Sequence, residues 1–180
     1  MNIEIYKKIK EEYDLFYTML LRNGKLPMFS TELGFWNSSI TEDLYNIFHR
    51  IKLHTYKNFL DIGSGDGKAV LIAALFGVTA HGVEINDYLI RKSIEIQKKI
   101  GVENASFIKK DYHTHDFSKY DILFLHPDKP LRRGLEPKLV KELGGKLILY
   151  GPLYHPRSLN KEDSFFINNT LVSIYSKKIS

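Results

Sequence analysis

The chain has 180 residues, 43% of them hydrophobic and 26% charged, with no cysteine and a formal net charge of +5. That length suits one domain with a core of its own, and that balance excludes a disordered or membrane-embedded chain. The lack of cysteine removes disulfides and thiolate chemistry and fits a reducing compartment; the basic surplus admits an anionic partner such as RNA as readily as a lysine-rich solvated surface.

Residues 1–12 alternate apolar and charged side chains and lack the apolar run of a secretory signal, and no stretch is long and apolar enough to cross a bilayer. The expectation is a cytoplasmic protein with no membrane partner. Ile5, Ile9, Tyr13, Phe16 and Leu20 recur at helical spacing, and Asn23-Gly24 supplies a stop, so a first amphipathic helix is expected. After a loop around Pro27, Ser39 and Glu42 have the spacing of a capping box. Ile40, Leu44, Ile47, Phe48 and Ile51 then mark the apolar face of a second helix.

The stretch Asn58 to Lys68 reads as a buried strand, a tight glycine turn and the start of a helix. Phe59, Leu60 and Ile62 give the apolar run of a parallel strand, and Gly63, Gly65 and Gly67 permit close approach to the main chain. The helix that continues through Ala74 turns its free amides and positive dipole end toward the turn, which suits a nucleotide-like cofactor. The spacing narrows the choice. A dinucleotide fingerprint needs G-x-G-x-x-G, and a P-loop needs G-K-[ST], whereas Gly67-Lys68 is followed by Ala69.

The actual series, Asp61-Ile62-Gly63-Ser64-Gly65-Asp66-Gly67, resembles the first motif of the class I S-adenosylmethionine-dependent methyltransferases. The resemblance implies an α/β fold of three layers, a Rossmann-like sheet of seven mostly parallel strands with an antiparallel last strand. It implies one domain over 1–180, with a helical N-terminal extension over 1–54 and the core over 55–180. It also implies S-adenosyl-L-methionine as cofactor, bound across the carboxyl ends of the strands against Asp61, Gly63, Ser64, Gly65 and Gly67. In such enzymes the segment before the first core strand folds over the cofactor or shapes the acceptor pocket. Here that segment is Phe29 to Asn37, and two roles are open to Phe35 and Trp36: lining an acceptor pocket, or packing the helices onto the sheet.

Gly77 to Glu84 reads as the second core strand, with an acidic side chain at its end that can accept hydrogen bonds from ribose hydroxyls. By resemblance Glu84 is the second motif and Ile85 lies against the adenine; an exposed surface glutamate is the alternative. A helix from about Asp87 carries Ile90, Ile94, Ile96 and Ile100 and ends at Gly101. Ala105 to Ile108 is a short third strand that delivers Asp111 and Tyr112 beside the cofactor, where the resemblance gives Asp111 a hydrogen bond to the adenine amino group.

The fourth strand, Asp121 to Leu125, ends in His126-Pro127-Asp128-Lys129-Pro130. Amino-group methyltransferases often carry Asp or Asn, two prolines and an aromatic residue here. This chain has His126 and one proline of the pair, so adenine or glutamine methylation by that arrangement is not supported. His126 can orient or deprotonate an acceptor, with Asp128 as a second catalytic candidate and Lys129 beside it, or it can contact the cofactor or cap the strand. The acceptor is expected to enter between Phe29–Asn37 and His126–Pro130.

His113, His115, Asp116 and His126 invite a metal reading, but no helical ligand pair such as H-E-x-x-H occurs and sulfonium methyl transfer needs no metal, so no metal site is expected. Lys129, Arg132, Arg133, Lys138 and Lys141 form a basic stretch on a helix expected from about Leu131. It either faces an acidic substrate or forms the solvated side of a helix packed through Leu131, Leu135, Leu139 and Leu143. Gly145 to Tyr150 is a fifth strand, and Phe165–Ile167 and Leu171–Tyr175 flank Asn168-Asn169 as a closing hairpin. Pro152 and Pro156 argue against a helix between them.

The functional expectation is methyl transfer from S-adenosylmethionine to a protein lysine, an RNA or a small molecule. A non-catalytic nucleoside-binding module and a nicotinamide oxidoreductase are the competing classes, the latter needing a glycine spacing this chain lacks.

Overall fold

Strand β3 (Asn58–Ile62) occupies an inner position of a seven-stranded sheet, and its residues explain how the layers form. Alternate side chains of a strand point to opposite faces. Phe59, Ile122, Phe124 and Ile148 accordingly join one apolar cluster, while Leu60, Leu123, Leu125, Leu147 and Leu149 join a second on the other side. The computed structural model describes residues 3–131 and 134–178; Arg132 and Arg133 of the expected basic stretch lie outside the described residues.

The first cluster is covered by α1 (Ile3–Arg22), α2 (Thr41–Arg50), α3 (Lys68–Ala74) and α4 (Asp87–Ile100). Helix α1 buries Ile9, Tyr13, Phe16 and Leu20, the stripe expected from its spacing. The second cluster is covered by α5 (Leu135–Glu142), with Phe117 and Tyr120 beside it. The sheet runs β5 (Ala105–Lys109), β4 (Thr79–Glu84), β3, β6 (Ile122–Leu125), β7 (Lys146–Tyr150), β9 (Thr170–Ser176), β8 (Asn160–Ile167). All neighbours from β5 to β7 are parallel, and β9 lies antiparallel between β7 and β8. This is the mostly parallel seven-stranded sheet with an antiparallel last strand expected from the sequence. The strand order reverses between β3 and β6, which opens a crevice at their carboxyl ends.

Three local expectations need correction. The Ser39/Glu42 capping box does not form: Ile40 is the N-cap of α2 and no side chain caps that end. The helix after β6 begins at Leu135 rather than near Leu131, so Pro137 falls in its first turn, where its missing N–H costs nothing. The N-terminal segment is not purely helical, because β1 (Met28–Ser30) and β2 (Phe35–Asn37) pair as a two-stranded hairpin. Among the described residues no helix is long and apolar enough to cross a membrane.

Candidate functional site

The loop from β3 to α3 is built around main-chain groups. Val83 O accepts hydrogen bonds from both Gly63 N and Ser64 N, at 2.9 and 3.0 Å. Gly63 has φ +71° and nothing within 4 Å of the position a Cβ would take, so its backbone lies open to a ligand. Gly65, at φ +53°, faces the opposite situation: any side chain there would run into the Trp36 indole.

Glu84, at the end of β4, ties the turn together. Its Oε2 accepts from Gly65 N at 3.0 Å, and its Oε1 accepts from Ile85 N and Asn86 N at 2.9 and 2.8 Å. An ionised carboxylate offers about four lone-pair positions, so roughly one on Oε2 stays available to a ligand hydroxyl. Burial pushes the Glu84 carboxyl above its ordinary range, and the three amides pull the other way.

Two cavities meet over this turn, of about 640 and 260 Å³, and share Phe35, Trp36, Gly63, His126, Pro127 and Asp128 as a common wall. Ile85 and Tyr112 line the larger cavity with Glu84. Asp61, Ser64, Gly65 and Lys68 line the smaller one, whose rim carries Leu153 and Tyr154. Asp61 is buried, and while its backbone pairs within the sheet, its carboxylate accepts no hydrogen bond among the described residues. Burial first, then the Asp66 and Glu84 carboxylates, push its carboxyl well up. Asp66 is by contrast fully engaged: Tyr17 Oη donates to Oδ2 at 2.5 Å, Lys68 N donates to Oδ1 at 3.2 Å and Tyr13 Oη donates to its carbonyl at 2.7 Å. The buried Lys68 ammonium lies 4.7 Å from the Tyr17 ring centroid, and burial lowers its pKa against the pull of Asp66.

The β1–β2 hairpin lies over the junction of the cavities and is held there from the segment after β6 and from the start of α4. Asp128 Oδ2 accepts from Phe35 N at 2.5 Å, Lys129 Nζ donates to Leu33 O, and Asn86 Nδ2 donates to Glu32 Oε2 at 3.2 Å. Gly34 has no room for a side chain against Asp128. Trp36 is 7% exposed and packs against Phe16 and Phe29, whereas Phe35 is 46% exposed. Trp36 thus packs against the helices while also lining both cavities, and Phe35 keeps a free face on the same cavities.

His126 follows β6 with its Nδ1 3.1 Å from Ser39 Oγ and its ring edge-on to Tyr150, centroids 4.9 Å apart. Asp111 is not brought into either cavity. Its Oδ1 accepts from His113 N and stands 2.9 Å from His113 Nδ1, which fixes the turn Tyr112–Thr114. His115 pairs with Tyr120 Oη, so the histidines and acids of that loop point to different partners, and among the described residues no three ligands converge on a metal position. Lys138 pairs with Glu142 and lies over Phe117, so its charge is used in packing α5. Sequence reasoning missed Ser39, His113, Tyr154 and the Asp128–hairpin contact. Of these, Ser39 carried a capping pattern that the fold does not use, and His113 a histidine cluster read only for metal.

A family model described as "Methyltransferase domain" matches residues 53–149. The chain is 33% identical over 107 residues to a lysine N-methyltransferase of Caenorhabditis elegans that is named for a component of ATP synthase, with 55% of this chain and 56% of that protein covered. It is 38% identical over 86 residues to a protein-lysine N-methyltransferase of Saccharolobus islandicus, with 46% and 53% covered. The chain thus spans about half the length of these two curated relatives. Among solved structures, an RNA methyltransferase from Salinibacter ruber in complex with S-adenosyl-L-homocysteine superposes with a TM-score of 0.69 at 19% identity, over 80% of this chain and 96% of that one. That likeness is one of fold.

Proposed function

The chain belongs to the methyltransferase domain family, and from that premise we propose that it transfers a methyl group from S-adenosyl-L-methionine to the side-chain amine of a protein lysine. The observation that carries the cofactor half is the open Gly63 backbone at the mouth of a cavity of about 640 Å³, a volume within the range of small-molecule sites, with Glu84 on its rim. Asp61, Gly63, Ser64, Gly65 and Gly67 form the turn that holds the cofactor. The partnerless Asp61 carboxylate suits the cofactor's amino group, and the remaining Glu84 lone pair suits a ribose hydroxyl. Ile85 and Tyr112 flank the adenine, while Asp111 keeps Tyr112 and His113 in place. When bound, S-adenosylmethionine supplies an electrophilic methyl group on a positively charged sulfur.

The acceptor half rests on the activity of the two relatives and on the smaller cavity. Phe35, Leu153 and Tyr154 offer apolar surface to an aliphatic stem, while Asp128 on the same wall provides negative charge for an ammonium. His126 and Asp128 stand where the two cavities join, His126 toward the acceptor and Asp128 holding the hairpin that narrows the opening. Positioning is the larger part of such catalysis, because a bound lone pair aligned with the methyl carbon removes most of the entropic cost. The test is transfer of labelled methyl from the cofactor into fractionated cell extract. Label that is lost with protease, resists nuclease and is recovered as methyl-lysine supports the reading; nuclease-sensitive label replaces the acceptor.

A further inference from the structure

Ser39 stands immediately before the N-cap of α2 and matches a capping box with Glu42, yet that end of the helix has no side-chain cap. A Ser, Thr, Asp or Asn cap is worth about 1 kcal/mol. The Ser39 hydroxyl is instead 3.1 Å from His126 Nδ1, across 87 positions of sequence. Departures from local rules tend to fall at functional positions. The ring it meets is held on a second side by Tyr150, whose hydroxyl donates to the fully buried Asp43 at 2.6 Å. Ser39, just before α2, and Tyr150 of β7, itself anchored on Asp43 of α2, thus fix the orientation of one imidazole. Its other nitrogen, Nε2, has no partner among the described residues and is not sealed from solvent, and the ring lines both cavities.

We propose that Ser39 is a positioning residue that holds His126 with its proton on Nδ1, leaving the Nε2 lone pair to take the proton of an incoming primary ammonium. This rests on the reading of the site as a lysine methyltransferase. The Nδ1–H to Ser39 Oγ bond is the one arrangement that survives the whole cycle, because Nδ1 keeps its proton in both the neutral and the protonated ring. The proton passes from the acceptor ammonium to Nε2. The freed nitrogen lone pair forms the N–C bond as the S–C bond breaks and its electrons stay on sulfur, and the imidazolium then returns the proton to water. The groups around the ring fit this direction. Burial lowers the His126 pKa below its ordinary 6.5 and Asp128 opposes that shift, a direction that favours the neutral ring with a free lone pair. Tyr150 is protonated, its pKa pushed above the ordinary 10 by burial and by Asp43. Asp61, Asp66, Lys68 and Tyr154 share the smaller cavity and complete the charged and titratable groups there.

The experiment uses the full chain with ¹⁵N-labelled histidine and compares wild type, Ser39→Ala and Ser39→Thr. The nitrogen chemical shifts of His126 should report Nδ1–H with bare Nε2 in wild type, a shift toward the Nε2–H form in Ser39→Ala and restoration in Ser39→Thr. With labelled cofactor and the acceptor fraction from extract, Ser39→Ala should lower kcat roughly tenfold at neutral pH with cofactor affinity unchanged, and Ser39→Thr should recover it. The rate should fall as pH drops through the His126 pKa, and this acid limb should be absent in His126→Asn. An Nε2–H wild type, or a Ser39→Ala variant with unaltered tautomer and rate, overturns the proposal. Failure of the wild type to transfer label at all overturns the methyltransferase reading instead, a result the tautomer measurement does not share.

Discussion

The Trp36 indole lies against Gly65, so closely that Gly65 cannot carry a side chain. One residue belongs to the hairpin and the other to the glycine turn, so the cover of the cleft and its floor are packed as one unit. Gly65 is required twice over, by φ +53° and by the indole. Left-handed backbone costs a residue with a Cβ roughly 1–2 kcal/mol before any collision. Gly65→Ala should therefore lower the melting temperature and weaken S-adenosylmethionine binding together. Thermal unfolding and calorimetry check this; a variant with wild-type values of both would show that the turn and the hairpin are not coupled.

Glu84 should matter to the turn as well as to any ligand. Removing its carboxylate orphans the amides of Gly65, Ile85 and Asn86 in a largely buried place. Hydrogen bonds to a charged group are worth about 1.5–3 kcal/mol. Glu84→Ala should weaken cofactor binding by tenfold or more, with Glu84→Gln falling between, since its amide keeps one acceptor oxygen. An equally tight Glu84→Ala variant would remove this residue from the site.

Most of the architecture was legible in the sequence because it follows from short-range pattern. Phe59, Leu60 and Ile62 with the glycine turn placed β3, and the stripe through Ile9, Tyr13, Phe16 and Leu20 placed α1. What the pattern could not supply was the choice between local and distant partners. Ser39 reads as a cap because its own helix needs one, and nothing within several residues reveals that His126 arrives beside it. The same holds for Asp128, whose carboxylate reads as a catalytic candidate but meets the Phe35 amide, and for Asp111, drawn aside by His113. Short strands of three residues, such as β1 and β2, carry too little alternation to be seen.

Asp128 should act on opening and closing. Losing its bond to Phe35 N frees one side of the hairpin. In Asp128→Ala, amide exchange over 28–37 should speed up, and the cofactor should dissociate several-fold faster. Exchange unchanged from wild type would mean that the Trp36 packing and the Lys129 and Asn86 contacts hold the cover without Asp128.

Asp61 makes binding depend on pH. Its carboxyl is raised in the folded chain by burial, and then by Asp66 and Glu84, so it loses its proton later than in the unfolded chain. Its contribution to stability is thus present below the unfolded value and is lost as pH rises through the folded one. A cationic amino group beside Asp61 favours the ionised form, so binding should release protons and tighten as pH rises through the folded pKa. Calorimetry in buffers of different ionisation enthalpy reads that release, and Asp61→Asn should abolish it. Equal proton release in both proteins would place the ligand cation elsewhere.

The most direct test of the account is a calorimetric titration of the wild-type chain with S-adenosylmethionine, S-adenosylhomocysteine and NAD. The account predicts one site per chain for each of the first two and no binding of the third. Binding of NAD in preference to both, or no binding of either sulfur compound by the folded chain, would contradict it.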